Sequence, residues 1–346
     1  MPDIKILVAG ANPVMRMRLV KAIATGKGMQ VTAEATDLPE TYTRSEALEP
    51  NVILVARDLT TVPEFSLMIS LFRALNCRWL VVDHRPSGVA RDAAGLAGES
   101  GLAPIDTNQT AAEICRQIKE AALLVQTVAA PITQPAMPSM PMPMPMPMRA
   151  GKLILIGSST GGVDALLTVL SQMPLDCPPI ALVQHTGQAF SDSLIRLLDR
   201  RCGIKVQAAT CGMELLPGHV CVAAGSPGHL RLRPGKPVKV TLEPGPLISG
   251  HTPSVDALFR SAVPFATQVV AVLLTGMGRD GAEGLLDLRR AGAVTIGQNA
   301  ATSVVYGMPR AAFELGAVQH QVGLGDMATT ILRACSAQSE ERRVGQ

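Results

Sequence analysis

The sequence predicts an α/β protein of two units, each with a parallel sheet that helices cover on both faces. Short continuous apolar runs of strand length alternate with amphipathic segments along most of the 346 residues, which is the pattern of buried parallel strands joined by helices. Hydrophobic residues make up 47% of the chain and charged residues 17%, so each unit can bury a core. A stretch rich in Pro and Met interrupts the alternation between residues 126 and 151.

The first unit, residues 1–126, opens with an apolar run at Ile4–Val8, and helix-forming residues with apolar spacing follow at Pro13–Thr25. Further short apolar runs predict buried strands, and two later segments have the apolar spacing of helices. The remaining predicted strands are Gln30–Ala35, Val52–Val55 and Trp79–Val82, and the remaining predicted helices are Leu67–Leu75 and Ala111–Val125.

Residues 127–150 read TVAAPITQPAMPSMPMPMPMPMRA, in which seven of 24 residues are Pro and six are Met. Each Pro fixes φ and removes a backbone donor, so neither a helix nor a central strand forms there. We expect a flexible Pro/Met-rich linker of polyproline-II type between the two domains, 1–126 and 151–346. The Met side chains are compatible with a partner-binding strip, but a tether of tolerant composition is the favoured interpretation.

The second unit, residues 151–346, repeats the alternation and adds a turn-rich β segment in its middle. There P-G and G-S-P-G sequences separate short apolar runs, which predicts an antiparallel excursion from an otherwise doubly wound parallel sheet. The predicted strands are Lys152–Ile156, Ile180–Gln184, His219–Ala223, His229–Leu232, Val238–Leu242, Val269–Leu274 and Ala293–Gly297. The predicted helices are Gly161–Leu170, Ser191–Arg200, Pro253–Ser261, Ala282–Ala291 and Pro309–Leu315.

Composition argues against several classes of function. Aromatic residues make up 3% of the chain and the net charge is +3, which disfavours nucleic-acid binding. The longest apolar runs fall far short of the roughly 20 residues of a membrane helix. The N-terminus MPDIKILVAG lacks the layout of a signal peptide, so we expect a cytoplasmic location. Seven cysteines without C-x-x-C spacing indicate reduced, buried thiols rather than a zinc site or a disulfide framework.

The segment Gly157–Gly162 follows a predicted strand, opens a predicted helix and places Ser159 in the order G-x-S-x-G. A sharp strand-to-helix turn needs residues without side chains around the serine, and it lifts the serine above the sheet next to the helix amides. The segment therefore predicts a nucleophile, with a phosphate-binding or purely structural glycine turn as the alternative. It lacks the G-K-[ST] of a Walker loop and does not read G-x-G-x-x-G.

A nucleophilic serine needs a base and an orienting acid. His185 directly follows the second predicted strand of this unit, and Asp280 lies in the turn after its sixth. Both are expected at the carboxyl edge of the sheet with Ser159, although Asp280 has the alternative role of a helix cap. His251 is either a cap-region residue or a wall of the site. The other histidines of the unit, expected to be structural or on the surface, are His219, His229 and His320.

The chain order Ser, His, Asp differs from that of α/β-hydrolases, in which the acid precedes the histidine. Residues 152–335 closely resemble the catalytic domain of bacterial chemotaxis protein-glutamate methylesterases. The resemblance rests on matching segments spread over most of the domain, which are Ile156–Gly162, Gln184-His185, Leu216–His219, Pro253–Phe259, Leu274–Ala282 and Gly307–Ala312.

The resemblance implies that Ser159 is the nucleophile, His185 the general base and Asp280 the acid that orients the base. It implies hydrolysis of γ-glutamyl methyl esters on the cytoplasmic helices of chemoreceptors with release of methanol, and deamidation of receptor glutamines. No metal or cofactor is expected, because acyl transfer by such a triad requires neither. Ser158 stands where many members of the family have Ala, and a small polar residue should be tolerated. The residues expected to line the site or hold the oxyanion are Thr160, Gly161, His251 and Met277.

The coarse pattern of the first unit resembles the flavodoxin-like receiver domain of this family, but the phosphorylation chemistry is missing. Gly10-Ala11 stand where receivers have an acidic pair, and Ala56 stands where a phosphoacceptor aspartate ends the third strand. The usual lysine late in the receiver is absent too, since no Lys occurs from 28 to 118. Phosphoryl transfer needs an acceptor carboxylate, and carboxylates hold Mg²⁺. We therefore expect a pseudo-receiver that is not phosphorylated and does not bind Mg²⁺ tightly.

Two residues beside Ala56 leave alternatives open. Asp58 is an acceptor only if the register slips by two residues, and the acidic pair is still absent. Arg57 either imitates a switched state or lies on the surface, and the surface position is favoured. In the family the unphosphorylated receiver covers the active site, so the resemblance implies docking, dimerisation or constitutive inhibition here, with relief supplied by a protein partner.

Two other functions compete with that of a receptor methylesterase. The degenerate receiver is compatible with a non-catalytic adaptor of a chemosensory array, which binds receptors, the chemosensory kinase or other array proteins. A serine hydrolase of small esters is disfavoured, because the sequence lacks lid-like insertions and the chain order of an α/β-hydrolase. The intact triad favours the methylesterase, and neither nucleic-acid binding nor membrane insertion is expected.

Overall fold

The computed structural model describes residues 3–62, 65–75, 77–83, 104–128 and 151–336. The chain divides into two compact units, Met1–Met140 and Pro141–Gln346. Most of the predicted linker, 129–150, lies outside the described residues. The first two residues assigned to it, Thr127 and Val128, are the last two residues of a helix.

The first unit alternates strands and helices from its first residues, and its five strands form one parallel sheet in the order β2-β1-β3-β4-β5. This order is that of a flavodoxin-like doubly wound sheet. The elements are β1 Ile4–Ala9, α1 Pro13–Ala24, β2 Met29–Ala35, α2 Leu38–Leu48, β3 Val52–Ala56, α3 Arg57–Thr60, α4 Phe65–Ala74, β4 Arg78–Asp83, β5 Ile105–Asp106 and α5 Ala111–Val128.

Two helices of the first unit, α1 and α2, start at side-chain caps. Asn12 accepts hydrogen bonds from the backbone N–H groups of Val14 and Met15 and caps α1, and Asp37 caps α2 in the same way. Such caps satisfy donors that the first helical turn leaves unpaired. The sequence analysis missed α2 because its buried face carries polar residues such as Thr41 and Ser45, which hide the apolar period. It also missed the short α3 and the two-residue β5.

The second unit has nine strands and six α-helices among its described residues. The strands are β6 Leu153–Ser158, β7 Ile180–Gln184, β8 Lys205–Ala208, β9 His219–Ala224, β10 His229–Arg233, β11 Lys239–Glu243, β12 Val269–Leu273, β13 Val294–Gln298 and β14 His320–Val322. The helices are α6 Gly162–Leu170, α7 Gln188–Arg201, α8 Val255–Ser261, α9 Ala282–Arg290, α10 Met308–Glu314 and α11 Leu324–Cys335.

Seven of these strands form a parallel sheet in the order β14-β13-β12-β6-β7-β9-β8, and β10 pairs with β11 in an antiparallel hairpin. The antiparallel excursion is therefore smaller than predicted, because β9 joins the main sheet beside β7. The edge strands β8 and β14 escaped the sequence analysis because they are short and partly exposed. It also overlooked α11, although Met327, Ala328 and Ile331 are buried at helical spacing.

The strands β12, β6 and β7 are neighbours at the centre of the sheet. Both faces of these strands are buried, as the burial of the adjacent residues Leu155 and Ile156 illustrates, which explains their continuous apolar sequence. Because the strands are parallel, their carboxyl ends lie at one edge, where ligands bind in open α/β sheets. Ser159, His185 and Asp280 all follow carboxyl ends of these three strands. No helix in the described parts of the chain is long and apolar enough to span a membrane.

Candidate active site

At its glycines, the turn that carries Ser159 lies so close to neighbouring side chains that a Cβ would not fit. A methyl group added to Gly157 would meet the side chain of Val255, and Gly161 has φ of +76°, where a methyl group would lie 2.5 Å from Cβ of Val304. Side chains are therefore excluded on both sides of the serine. The backbone N–H of Gly162 donates to the carbonyl of Ser159 at 2.8 Å. The sequence thus folds here into the tight strand-to-helix turn that exposes a nucleophile.

His185 and Asp280 form a hydrogen-bonded pair. Nε2 of His185 lies 2.9 Å from Oδ2 of Asp280, and their side chains are 7% and 0% exposed. Nδ1 of His185 is buried and has no hydrogen-bond partner among the described residues, which leaves its lone pair available to a donor. The backbone N–H of His185 donates to the carbonyl of Ser158 at 3.0 Å, which places the base beside the nucleophile turn. No hydrogen bond within the described residues joins Oγ of Ser159 to the imidazole, and such bonds often form only with substrate bound.

Asp280 accepts four hydrogen bonds. Oδ1 accepts from Oγ of Ser254 at 2.8 Å and from the N–H of Asp256 at 3.0 Å, and Oδ2 accepts from the N–H of Val255 at 2.8 Å and from His185. Burial raises the pKa of the Asp280 carboxyl, but His185 and these N–H groups outweigh it and the pKa is lowered. The acid therefore stays ionised at neutral pH, as an orienting carboxylate must.

A second carboxylate, Asp256, lies directly behind the acid. It accepts hydrogen bonds from Oγ of Ser249 at 2.6 Å and from the N–H of Gly284 at 2.7 Å. Burial raises the pKa of Asp256, and the negative charge of Asp280 raises it further. The surroundings thus shift the pKa values of the two carboxyl groups in opposite directions, so the negative charge is favoured on Asp280.

His251 lies against the imidazole of His185, and the cap of α8 is Ser254 instead. Its ring stacks on that of His185 with centroids 3.8 Å apart and planes 11° apart. Burial lowers the pKa of His251, and the neighbouring His185 lowers it further. A neutral aromatic ring therefore covers one face of the base.

Thr160, Gly161 and Met277 lie around the serine. The carbonyl of Thr160 accepts a hydrogen bond of 2.9 Å from the hydroxyl of Thr275, and Met277 is 70% exposed. The backbone N–H of Ser159 donates to the carbonyl of Thr275. The backbone N–H groups of Thr160 and Met277 make no hydrogen bond within the described part of the protein. These two N–H groups are therefore available to an oxyanion at the serine.

The family model of the CheB methylesterase matches residues 154–331, more than half of the chain. The chain belongs to the CheB methylesterase family. It is 37% identical over 347 residues to a protein-glutamate methylesterase/protein-glutamine glutaminase of Caulobacter vibrioides, covering 97% of this chain and 99% of that one. A protein of the same name from Gluconobacter oxydans is 45% identical over 197 residues, 56% of each chain. The catalytic domain of the Thermotoga maritima CheB methylesterase matches with a TM-score of 0.52 at 32% identity, over 54% of this chain and 99% of that domain.

Gln184, which the sequence analysis left without a role, joins two of the candidate site residues through its buried side chain. Its Nε2 donates to the carbonyls of Ser159 and His185, both at 2.9 Å, and its Oε1 accepts from Oγ of Ser158 at 2.6 Å. One buried amide thus fixes the nucleophile turn to the strand end that carries the base. The available signal was a polar residue at a core position, the last residue of an apolar strand.

The remaining histidines divide into two groups. His219 and His320 fulfil the expectation for ordinary histidines: His219 bonds the nearby carbonyl of Pro217 and His320 is exposed. His229 is 2% exposed and both ring nitrogens are hydrogen-bonded, to Pro246 and to the backbone of Ser254. It is therefore structural and adjoins the residues that hold Asp280.

At the corresponding edge of the first unit, arginine side chains lie among the carboxylates and no carboxylate ends β3. Ala56 ends β3 and is buried, and Asp58 lies exposed on α3. Nε of Arg57 pairs with Oδ2 of Asp83 at 2.7 Å and its side chain is 19% exposed, so Arg57 is not a solvated surface residue as favoured above. Nη1 of Arg16 donates to the carbonyls of Gly10 and Ala11.

Proposed function

We propose that this chain hydrolyses γ-glutamyl methyl esters of chemoreceptors, with Ser159 as nucleophile, His185 as general base and Asp280 as the orienting acid. The observation that carries the proposal is the meeting of these three residues at the ends of β6, β7 and β12, in a chain of the CheB methylesterase family. Relatives over nearly the full length are named protein-glutamate methylesterase/protein-glutamine glutaminase.

The reaction begins with attack of Ser159 Oγ on the ester carbonyl. Nδ1 of His185 accepts the hydroxyl proton, while Nε2–H remains bonded to Asp280. The N–H groups of Thr160 and Met277 hold the oxyanion of the tetrahedral intermediate, a type of contact worth about 3 kcal/mol of barrier per donor. His185 then gives its proton to the departing methoxide, which leaves as methanol, and an acyl-enzyme remains.

Hydrolysis of the acyl-enzyme repeats these steps with water. His185 takes a proton from water as the oxygen attacks the glutamyl carbonyl, and it returns the proton to Ser159 when the ester bond breaks. The product is a free glutamate side chain. A glutamine side chain follows the same course, except that the leaving group takes the proton as ammonia, so the same site supports deamidation.

The substrate is a cytoplasmic helical segment of a methyl-accepting receptor, and the chemosensory kinase or other array proteins are further partners in this proposal. Two large apolar side chains flank the serine in the open. Met277 is 70% exposed and Val304 61% exposed, and Val304 packs against Gly161. Exposed apolar side chains beside a nucleophile support binding of a protein surface rather than of a small ester.

Phosphorylation of the first unit does not control the enzyme in this proposal. Ala56 occupies the end of β3, and the guanidinium group of Arg16 binds the carbonyls of Gly10 and Ala11 where an acidic pair would be needed. Within the described residues, no three His, Cys, Asp or Glu side chains are grouped to hold a metal ion. A protein partner therefore supplies the regulation.

The test is methanol release from methyl-labelled receptor membranes by the full-length protein, by Ser159→Ala and by Ser171→Ala, a matched exposed serine of the same unit. The expected result is release by the wild type and by Ser171→Ala, and none by Ser159→Ala. Retention of full biological function by Ser159→Ala would favour an adaptor instead. Hydrolysis of a generic small ester without any action on receptors would favour a small-ester hydrolase.

A further inference from the structure

His229 begins β10 and is almost completely buried, yet it takes no part in the proposed reaction. Its Nε2 lies 2.9 Å from the carbonyl of Pro246, and its Nδ1 accepts from the backbone N–H of Ser254 at 3.2 Å. An N–H group only donates, so Nδ1 carries no proton, and a carbonyl only accepts, so Nε2 carries one. The two partners therefore fix the ring of His229 in one tautomer and one orientation.

Ser254 connects this ring to the acid. Its Oγ donates to Oδ1 of Asp280, and the N–H groups of the next two residues, Val255 and Asp256, donate to the same carboxylate. Three consecutive residues thus provide three of the four hydrogen bonds to Asp280, and the fourth partner is His185. The position of this turn determines where the carboxylate lies, and the first backbone N–H of the turn is bonded to His229.

The same ring is also hydrogen-bonded to both sides of the segment that carries His251. Pro246 and Ser254, which His229 binds, lie on either side of His251 in the chain. His251 stacks on the base at 3.8 Å. The ring stacked on His185 therefore lies between two residues that His229 binds, and the carboxylate bonded to His185 is held by the turn that begins at one of them.

We propose that His229 is a positioning residue for the catalytic acid, acting through its Nδ1 bond to the backbone of Ser254. The inference rests on the proposed function of Asp280 and His185. A buried residue that acts in this way affects the geometry of the transition state and not the binding of the receptor. Its loss should therefore lower kcat and leave KM unchanged.

Two conservative variants separate the two bonds of the ring. In His229→Asn the side-chain oxygen occupies the place of Nδ1 and accepts from Ser254, whereas in His229→Gln the side-chain nitrogen occupies the place of Nε2 and donates to Pro246. We expect His229→Asn to keep kcat within about threefold of the wild type. We expect His229→Gln to lose on the order of 10- to 100-fold in kcat, as for other residues that orient catalytic groups, at unchanged KM.

The opposite ranking, equal losses in both variants, or no loss in either would overturn the proposal. Should His229→Gln not fold, Ser254→Ala removes the donor to Asp280 while leaving the ring's bonds, and unchanged kcat in that variant would also overturn it. The ring ¹⁵N chemical shifts of His185 provide a readout independent of turnover. They should match the wild type in His229→Asn and differ in His229→Gln, even if the wild type shows no esterase activity and the proposed function itself fails.

Discussion

The hydroxyl of Ser158 donates a hydrogen bond of 2.6 Å to Oε1 of Gln184, and both side chains are completely buried. The carbonyls of Ser159 and His185 only accept, so they turn the NH₂ group of Gln184 toward themselves and leave Oε1 to accept from the hydroxyl of Ser158. The hydroxyl of Ser158 therefore supplies the buried Oε1 of Gln184 with its hydrogen-bond donor.

We expect Gln184→Glu to lower kcat strongly, because a carboxyl group cannot donate to two carbonyls at once. Ser158→Ala should have a milder effect: it leaves Oε1 buried without its donor, which costs about 1–3 kcal/mol of stability, while the nucleophile remains. Methanol release and thermal unfolding measure the two effects. Gln319→Glu, a change at an exposed position, is the control and should alter neither. Full activity of Gln184→Glu would show that the amide does not position the site.

The three proposed triad residues could be found from the sequence because each lies within or shortly after a short, recognisable segment. Ser159 lies between glycines in a six-residue segment, and His185 and Asp280 follow apolar runs. Parallel strands then bring such positions to one edge whatever their separation in sequence. The same local signals located nine of the twelve strands of the two parallel sheets.

The residues that hold the triad could not be found in this way, because their partners come from distant segments. Ser254 is 25 residues from His229 and 26 from Asp280, and no spacing rule joins them. From the sequence, His229 is interpreted as a structural histidine of a β segment. Its bonds to the backbone of Pro246 and Ser254 become visible only in the fold. The short edge strands β8 and β14 were missed for a related reason, since their stability comes from pairing with neighbours rather than from their own sequence.

Asp256 should make folding stability depend on pH. Burial, the first cause, raises the pKa of this carboxyl above the value of about 3.9 of an unfolded chain. The folded protein therefore holds the proton more tightly, and its free energy of unfolding falls as pH rises from about 4 through the raised pKa.

Asp256→Asn removes that titration, while the amide of the new Asn can still form hydrogen bonds with the hydroxyl of Ser249 and the backbone N–H of Gly284. We expect the difference in free energy of unfolding between Asp256→Asn and the wild type to grow in favour of the variant as pH rises through this window. Chemical denaturation at several pH values measures it. A difference that is constant with pH, or that changes in the opposite direction, would contradict the raised pKa.

Val304 should contribute to receptor binding. It is 61% exposed and packs against Gly161 beside the nucleophile. We expect Val304→Asp to raise KM for receptor substrate several-fold with little change in kcat, because a charge replaces apolar contact area but leaves the triad intact. Hydrolysis of a small ester should not change.

Leu175→Asp is the matched control for this experiment. Leu175 is 75% exposed and precedes β7, at the amino end of the parallel strands, so it lies on the edge of the sheet opposite to the serine. It should leave KM unaltered. Equal effects of the two changes would indicate a general effect of charge, and an unchanged KM in Val304→Asp would exclude Val304 from the receptor contact.

A small phosphodonor with Mg²⁺ should leave methanol release by the full-length protein unchanged, and it should add no phosphate to the chain. To accept a phosphoryl group, the first unit would need a carboxylate at the end of β3 and further carboxylates that hold Mg²⁺ at the same edge of its sheet. The first position is Ala56, and the nearby carboxylates of Glu34 and Asp83 are already paired with Arg16 and Arg57. Asp58→Asn tests the remaining candidate, an exposed carboxylate on α3. If the wild type incorporates phosphate and Asp58→Asn does not, the register of the acceptor is shifted by two residues and the first unit is a working receiver.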